Sequence, residues 1–173
     1  KRGADIVKLY PSGGHGVPLA KDQMSITREE LKAAVDAAHD RRKKVRGHIV
    51  SKRAIMESVR AGVDVIDHAD MMDAECIEAF LKAGSFVVPS LFYPLSIIED
   101  AEINGQANRH GIGNMKEDFE RVCSILPEAH AAGVKFTLGD DYGTRTLPHG
   151  EYSKELELYV RHAGLSPLEI IGW

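Results

Sequence analysis

Apolar and polar positions divide this chain into short apolar runs, each followed by a longer segment with apolar residues at helical spacing. Residues 4–10, Ala-Asp-Ile-Val-Lys-Leu-Tyr, read as a strand, and a glycine-rich loop follows from Ser12 to Gly16. Thr27 and Glu30 have the spacing of a capping box, and Leu31, Ala34, Val35 and Ala38 then recur as one helical stripe. The pattern repeats. Lys44–Val50 is a strand, and Ser51 caps a helix carrying Ile55, Val59 and Ala61 up to Gly62. Val63–His68 is a strand, and Asp73 caps a helix through Ile77, Phe80 and Leu81 to Gly84. Ser85–Leu91 is the fourth strand and Val134–Gly139 the fifth, with helices over Met115–Ala132 and Glu151–Ala163; Ser166-Pro167 opens one more. Between Phe92 and Asn114, Pro94, Asn104, Gly105, Gly111 and Gly113 predict a long irregular connection, either a lid over a site or a surface insertion.

Four helices end in the same way, at Ala61-Gly62, Ala83-Gly84, Ala132-Gly133 and Ala163-Gly164, and a new element follows directly. Glycine there reverses the chain with positive φ and no Cβ penalty. Strand–helix alternation with such turns predicts an α/β fold with a parallel sheet. Five strand–helix units suit either part of an eight-unit barrel or an open doubly wound sheet.

Composition narrows the picture modestly. A chain of 173 residues that is 43% hydrophobic and 28% charged is long enough for one ordinary core. With net charge −4 and mixed signs it offers no basic stripe for nucleic acid or anionic membrane. No apolar run reaches the roughly 18 residues of a membrane span. Cys76 and Cys123 sit on predicted helices without a CxxC partner and read as reduced thiols outside any disulfide or metal site. The chain opens with no methionine straight into a strand and stops within a predicted helix, so a piece of a longer protein is expected. A cytoplasmic location is the accompanying expectation.

The chemistry lies at the strand ends. Interior strands of a parallel sheet should be apolar on both faces, yet Lys8, His48, His68 and the Asp140-Asp141 pair stand near the C-terminal ends of four strands. Taken singly, each has an ordinary reading: a hydrogen-bonded structural histidine, an edge lysine, a turn or helix cap. Together, at the end where barrel enzymes gather their catalytic groups, they suit a divalent metal. A cationic lysine cannot ligate, so Lys8 would need to be deprotonated by burial or converted by CO2 to an anionic carbamate.

The ordered set Val7-Lys8-Leu9 with Ser12-Gly13-Gly14, Gly47-His48, Asp67-His68-Ala69, Leu138-Gly139-Asp140-Asp141-Tyr142-Gly143, Pro148-His149-Gly150-Glu151 and Glu155-Leu156-Glu157-Leu158 resembles the amidohydrolase superfamily. The likeness runs over almost the whole chain and is strongest to the imidazolonepropionase-like and Xaa-Pro-dipeptidase-like branch. It implies a partial (β/α)8 TIM barrel, about strands 4 to 8 with their helices, residues 1–173 being its C-terminal portion. The family's lysine on strand 4, often carbamylated and bridging two metals, matches Lys8. Its histidine ligands on strands 5 and 6 match His48 and His68. Its strand-8 aspartate, metal ligand and general base, matches Asp141, with Asp140 as a neighbour or alternative. His149 matches a His-Gly after strand 8 and, with Tyr10, is assigned to substrate.

The resemblance therefore implies a metal-dependent hydrolase of a C–N bond, in an amide, peptide, N-acyl group or cyclic amide. Zn2+ is the expected cofactor, as one or two ions, and the substrate is a small molecule or short peptide. The expected partners are the remaining N-terminal part of the barrel and a second copy in a homo-oligomer. Three departures stand out. The family's Ala-His-Ala-His is here Gly47-His48-Ile49-Val50, its Glu-His-Gly is Asp67-His68-Ala69, and its strand-1 His-x-His is nowhere in the chain. A non-catalytic barrel acting as a binding module is the alternative. Alone, 173 residues of an open barrel are expected to be inactive and poorly soluble, with sheet edges bare.

Overall fold

A computed structural model describes residues 3–14, 19–108 and 111–173. His15 and Gly16, at the end of the expected glycine-rich loop, lie outside the described residues, as do Arg109 and His110 within the expected irregular stretch. The chain runs β1 (Ile6–Leu9), α1 (Arg28–His39), β2 (Lys44–Ile49), α2 (Lys52–Ala61), β3 (Val65–His68), α3 (Ala74–Ala83), β4 (Phe86–Val88), α4 (Phe92–Ile103), α5 (Ile112–Ala131), β5 (Lys135–Phe136), α6 (Tyr152–Ala163) and α7 (Pro167–Ile171).

The local signals behave as their chemistry requires. Thr27 and Glu30 form a complete capping box on α1. Ser51 accepts from the Ala54 N–H at the start of α2, and Asp73 from the Cys76 N–H at the start of α3. Gly62, Gly84 and Gly164 end their helices in the left-handed conformation. Ser166 and Glu169 make a second capping box on α7, with Pro167 in its first turn.

The five strands are all parallel and lie side by side in sequence order. A doubly wound sheet reverses its strand order at a switch point, whereas successive units of a (β/α)8 barrel do not. The order therefore selects the barrel wall over the open sheet. Residues of one parity, Val45, Ile49, Ile66, Val87 and Phe136, join the core beneath the helices. By strand alternation, the other parity sets Lys8, Arg46, His48 and Asp67 on the opposite, interior face, where the register pairs Lys8 with Arg46 and His48 with Asp67.

Two expectations need correction. The stretch from Phe92 is not irregular: it forms the three-turn helix α4, and α5 begins at Ile112 rather than Met115. Pro94 sits in the first turn of α4, where the missing N–H costs no helical bond. The fifth strand is also shorter than residues 134–139, pairing with β4 only over Lys135–Phe136. No helix among the described residues is long and apolar enough to cross a membrane.

Candidate active site

The C-terminal end of the sheet gathers most of the residues singled out by sequence. His48 is buried at the end of β2, its Nε2 3.1 Å from the Gly14 carbonyl oxygen. A carbonyl oxygen only accepts, so Nε2 carries a proton in that contact. Tyr10 is 56% exposed and stacks on the His48 ring with centroids 5.6 Å apart. His68 ends β3, and its ring meets His48 edge-on at 4.6 Å.

His68 reaches this position through backbone strain. The register pairs it with Ile49, a core-side residue. A regular strand would therefore aim His68 into the helix layer. Instead its φ is +72°, and the Ala69 N–H turns back to the Asp67 carbonyl at 3.0 Å while also reaching the Ile49 carbonyl at 3.0 Å. Such a three-residue turn at positive φ is rare for a residue bearing a side chain. Once turned, His68 places Nδ1 3.1 Å from Ser90 Oγ and Nε2 3.8 Å from Asp141 Oδ2.

The aspartates after β5 divide their tasks. Asp141 is exposed, 48% at its side chain, and faces His68. Asp140 is turned inward: it accepts the Tyr93 N–H at 2.9 Å and the Asp141 N–H at 2.7 Å. Glu155, only 1% exposed on α6, accepts the Leu91 and Phe92 N–H groups at 2.8 and 2.7 Å. Burial first, then the Asp140 charge, hold the Glu155 carboxyl well above the usual carboxylate range. Burial likewise raises Asp140. Tyr159 donates to the Pro89 carbonyl at 2.7 Å from the same helix.

Lys8 stands beside this group, its ammonium 5.4 Å from the Tyr10 ring centroid. Its ammonium pairs with Asp67, which is 3% exposed at its side chain and also receives Arg46 Nε at 2.7 and 2.8 Å. His149 stays with the loop after β5, its Nδ1 3.3 Å from the Tyr152 hydroxyl. A cavity of about 110 Å3 opens beside Ser90, walled by Asp70, Pro94, Phe119 and Val122, with Lys21 at its side paired to Asp118.

The donor chemistry suits a metal ion in part. Bonds of about 2.1 Å at a tetrahedral angle would separate two ligand atoms by roughly 3.4 Å, close to the 3.8 Å between His68 Nε2 and Asp141 Oδ2. That distance is too long for a hydrogen bond. Yet among the described residues no group of three or more His, Cys, Asp or Glu stands close enough to hold an ion. The residues fit as part of a ligand set, not as a closed one.

Sequence reasoning missed Asp67, Ser90 and Glu155. Each left a trace. Ser90 and Asp67 are polar at strand ends, and Glu155 interrupts the apolar stripe of α6 that continues at Leu158 and Tyr159.

No family model matches the chain. It is 28% identical to the ochratoxinase of Aspergillus niger over 178 aligned residues, covering 99% of this chain but 35% of that protein. The crystal structure of A. niger ochratoxinase superposes with a TM-score of 0.80 at 27% identity, over 97% of this chain and 37% of that one. An amidohydrolase crystal structure gives 0.83 at 27%, over 98% and 40%, and a Xaa-Pro dipeptidase with methionine bound in its active site gives 0.81 at 25%, over 97% and 41%. The chain thus spans about a third of the length of the curated relative it matches. A parallel barrel wall is thus matched nearly end to end by these solved structures, an amidohydrolase among them.

Proposed function

We propose that the full-length protein containing this chain hydrolyses a C–N bond in a small amide, peptide, N-acyl compound or cyclic amide, using a divalent metal, zinc first. The observation that carries the reading is the convergence of His48, His68 and Asp141 at the C-terminal end of the sheet. Residues 1–173 supply barrel strands 4 to 8 in this reading, and the remaining ligands come from strands outside the chain. A bound metal would lower the pKa of its water to about 7 and polarise the scissile carbonyl. This chain's residues do the rest. The Gly14 carbonyl and Ser90 fix the two imidazoles. Asp141, exposed toward the site, takes the proton of the attacking water and returns it to the leaving nitrogen. Lys8 joins the ligands only on leaving Asp67: carbamylation turns its ammonium into an anion that the Asp67 carboxylate no longer attracts. Tyr10 and His149 face the substrate, and the cavity walled by Pro94, Phe119 and Val122 takes an apolar side chain. A homo-oligomer in the cytoplasm completes the reading.

The test is a dipeptide and N-acyl amino acid panel on the full-length protein, with metal analysis. Hydrolysis should cease on chelation and return with Zn2+. His48→Ala, His68→Ala and Asp141→Asn should each lower kcat/KM by about a thousandfold or more. Asp141→Asn retaining activity within tenfold of the parent would remove Asp141 from the base role.

A further inference from the structure

The site is tied to a second layer built by α6. Glu155 reaches across and binds the Leu91 and Phe92 N–H groups with separate oxygens. Its neighbour Asp140 binds the next N–H, that of Tyr93. Three consecutive donors at the start of α4 are thus satisfied by two acids from elsewhere in the chain, and α4 has no side-chain cap of its own. The segment so clamped contains Ser90, which bonds His68, while Asp140 also holds the Asp141 N–H.

We infer that Glu155 is a positioning residue: by holding Leu91 and Phe92 beside the Tyr93 N–H that Asp140 holds, it fixes the orientation of His68 and Asp141 together. This rests on the hydrolase reading for its catalytic consequence, but not for its geometry. A helix N-terminus is satisfied by any acceptor, water included. An acid buried to 1% exposure, holding the two N–H groups next to the one that Asp140 holds, does more than satisfy it. It makes the His68 arm and the Asp141 arm one rigid unit. Groups that orient metal-site side chains from outside the ligand set typically change affinity or activity 10–100-fold when removed.

The experiment compares Glu155→Gln with the full-length parent and with Leu158→Ala, a core truncation on the same helix whose apolar side chain takes no part in these hydrogen bonds. Glutamine keeps the volume and one acceptor oxygen but presents an NH2 where the second N–H needs an acceptor. Amide exchange at Leu91 or Phe92 should rise tenfold or more, the His68 imidazole nitrogen shifts should move, and kcat should fall 10–100-fold with KM within threefold. Leu158→Ala should lower the unfolding midpoint while leaving the His68 shifts and kcat in place. Unchanged exchange and unchanged His68 shifts in Glu155→Gln would overturn the inference, as would equal losses of kcat in the two variants. If no substrate in the panel is cleaved by the parent, the hydrolase reading fails by itself, and exchange and nitrogen shifts still decide the clamp.

Discussion

Gly13 is the position where one methyl group should disturb the site most. A Cβ there would lie 2.3 Å from the Leu19 carbonyl oxygen and 2.5 Å from that of Ala20. Both neighbours are backbone, so neither can rotate aside, and the loop after β1 must move. On one side of Gly13, buried Ser12 accepts the Val50 N–H at 3.0 Å. On the other, the Gly14 carbonyl bonds His48. Overpacking of this kind costs about 1–3 kcal/mol. Loss of the Ser12–Val50 bond adds about 0.5–1.5 kcal/mol. The stiffer unfolded chain returns about 0.4–1 kcal/mol. Gly13→Ala should therefore destabilise the full-length protein by about 2 kcal/mol within a range of about 0.5–4, read from urea midpoints at constant m, and should shift the His48 ring resonances. Gly113→Ala is the control: it lies inside α5 with no atom within 4 Å of the added Cβ, and helix propensity should make it neutral to about 1 kcal/mol more stable. Gly13→Ala within about 0.5 kcal/mol of the parent would refute the steric argument.

Two further outcomes concern ionisation. Burial pushes the Cys76 and Cys123 thiols up to about 12, so an aromatic disulfide reagent at pH 8 should leave both unmodified in the native protein and label both in urea; rapid native labelling would contradict it. The raised Glu155 carboxyl favours the protonated folded state, so its contribution is complete below its ordinary value of 4.5 and is lost as pH rises through the higher folded value. Stability should thus fall with rising pH above about 4.5 more steeply in the parent than in Glu155→Gln, and superimposable pH profiles of the urea midpoint would exclude the effect.

The elements that announced themselves in sequence are those whose ends are settled within a few residues: Thr27 with Glu30, Ser51, Asp73, and the glycines closing α2, α3 and α6. α4 did not, because its N-terminus is completed from 63 and 64 residues away by Glu155. Its apolar residues Phe92, Leu95, Ile97, Ile98 and Ile103 also surround it rather than forming a stripe. Proline and glycine counted locally therefore outweighed a helix held by distant acids. For the site, the residues singled out by spacing and resemblance, His48, His68 and Asp141, lie together at one end of the sheet. Lys8 was legible as an interior residue but not as the partner of Asp67, since that contact depends on the register of three strands.

His68 exposes a further limit of reading by parity. A regular strand offers only every second residue to one face, and Asp67 already serves the interior, holding Lys8 and Arg46. His68, next in sequence, belongs by parity with Ile49 and the helix layer. The strand avoids this by ending in two left-handed residues, His68 at φ +72° and Ala69 at +55°. Each costs about 1–2 kcal/mol for a residue with a side chain. What holds the turn is visible: Ala69 is fully buried, its N–H meets two carbonyls, Met71 bonds back to Val50, and Ser90 holds the ring. The strain lets two consecutive residues serve the same face, one in the ion pairs of the barrel interior and one against His48 and Asp141. Strained residues held by this many bonds cluster at functional sites, and this one sets His68 against His48 and Asp141.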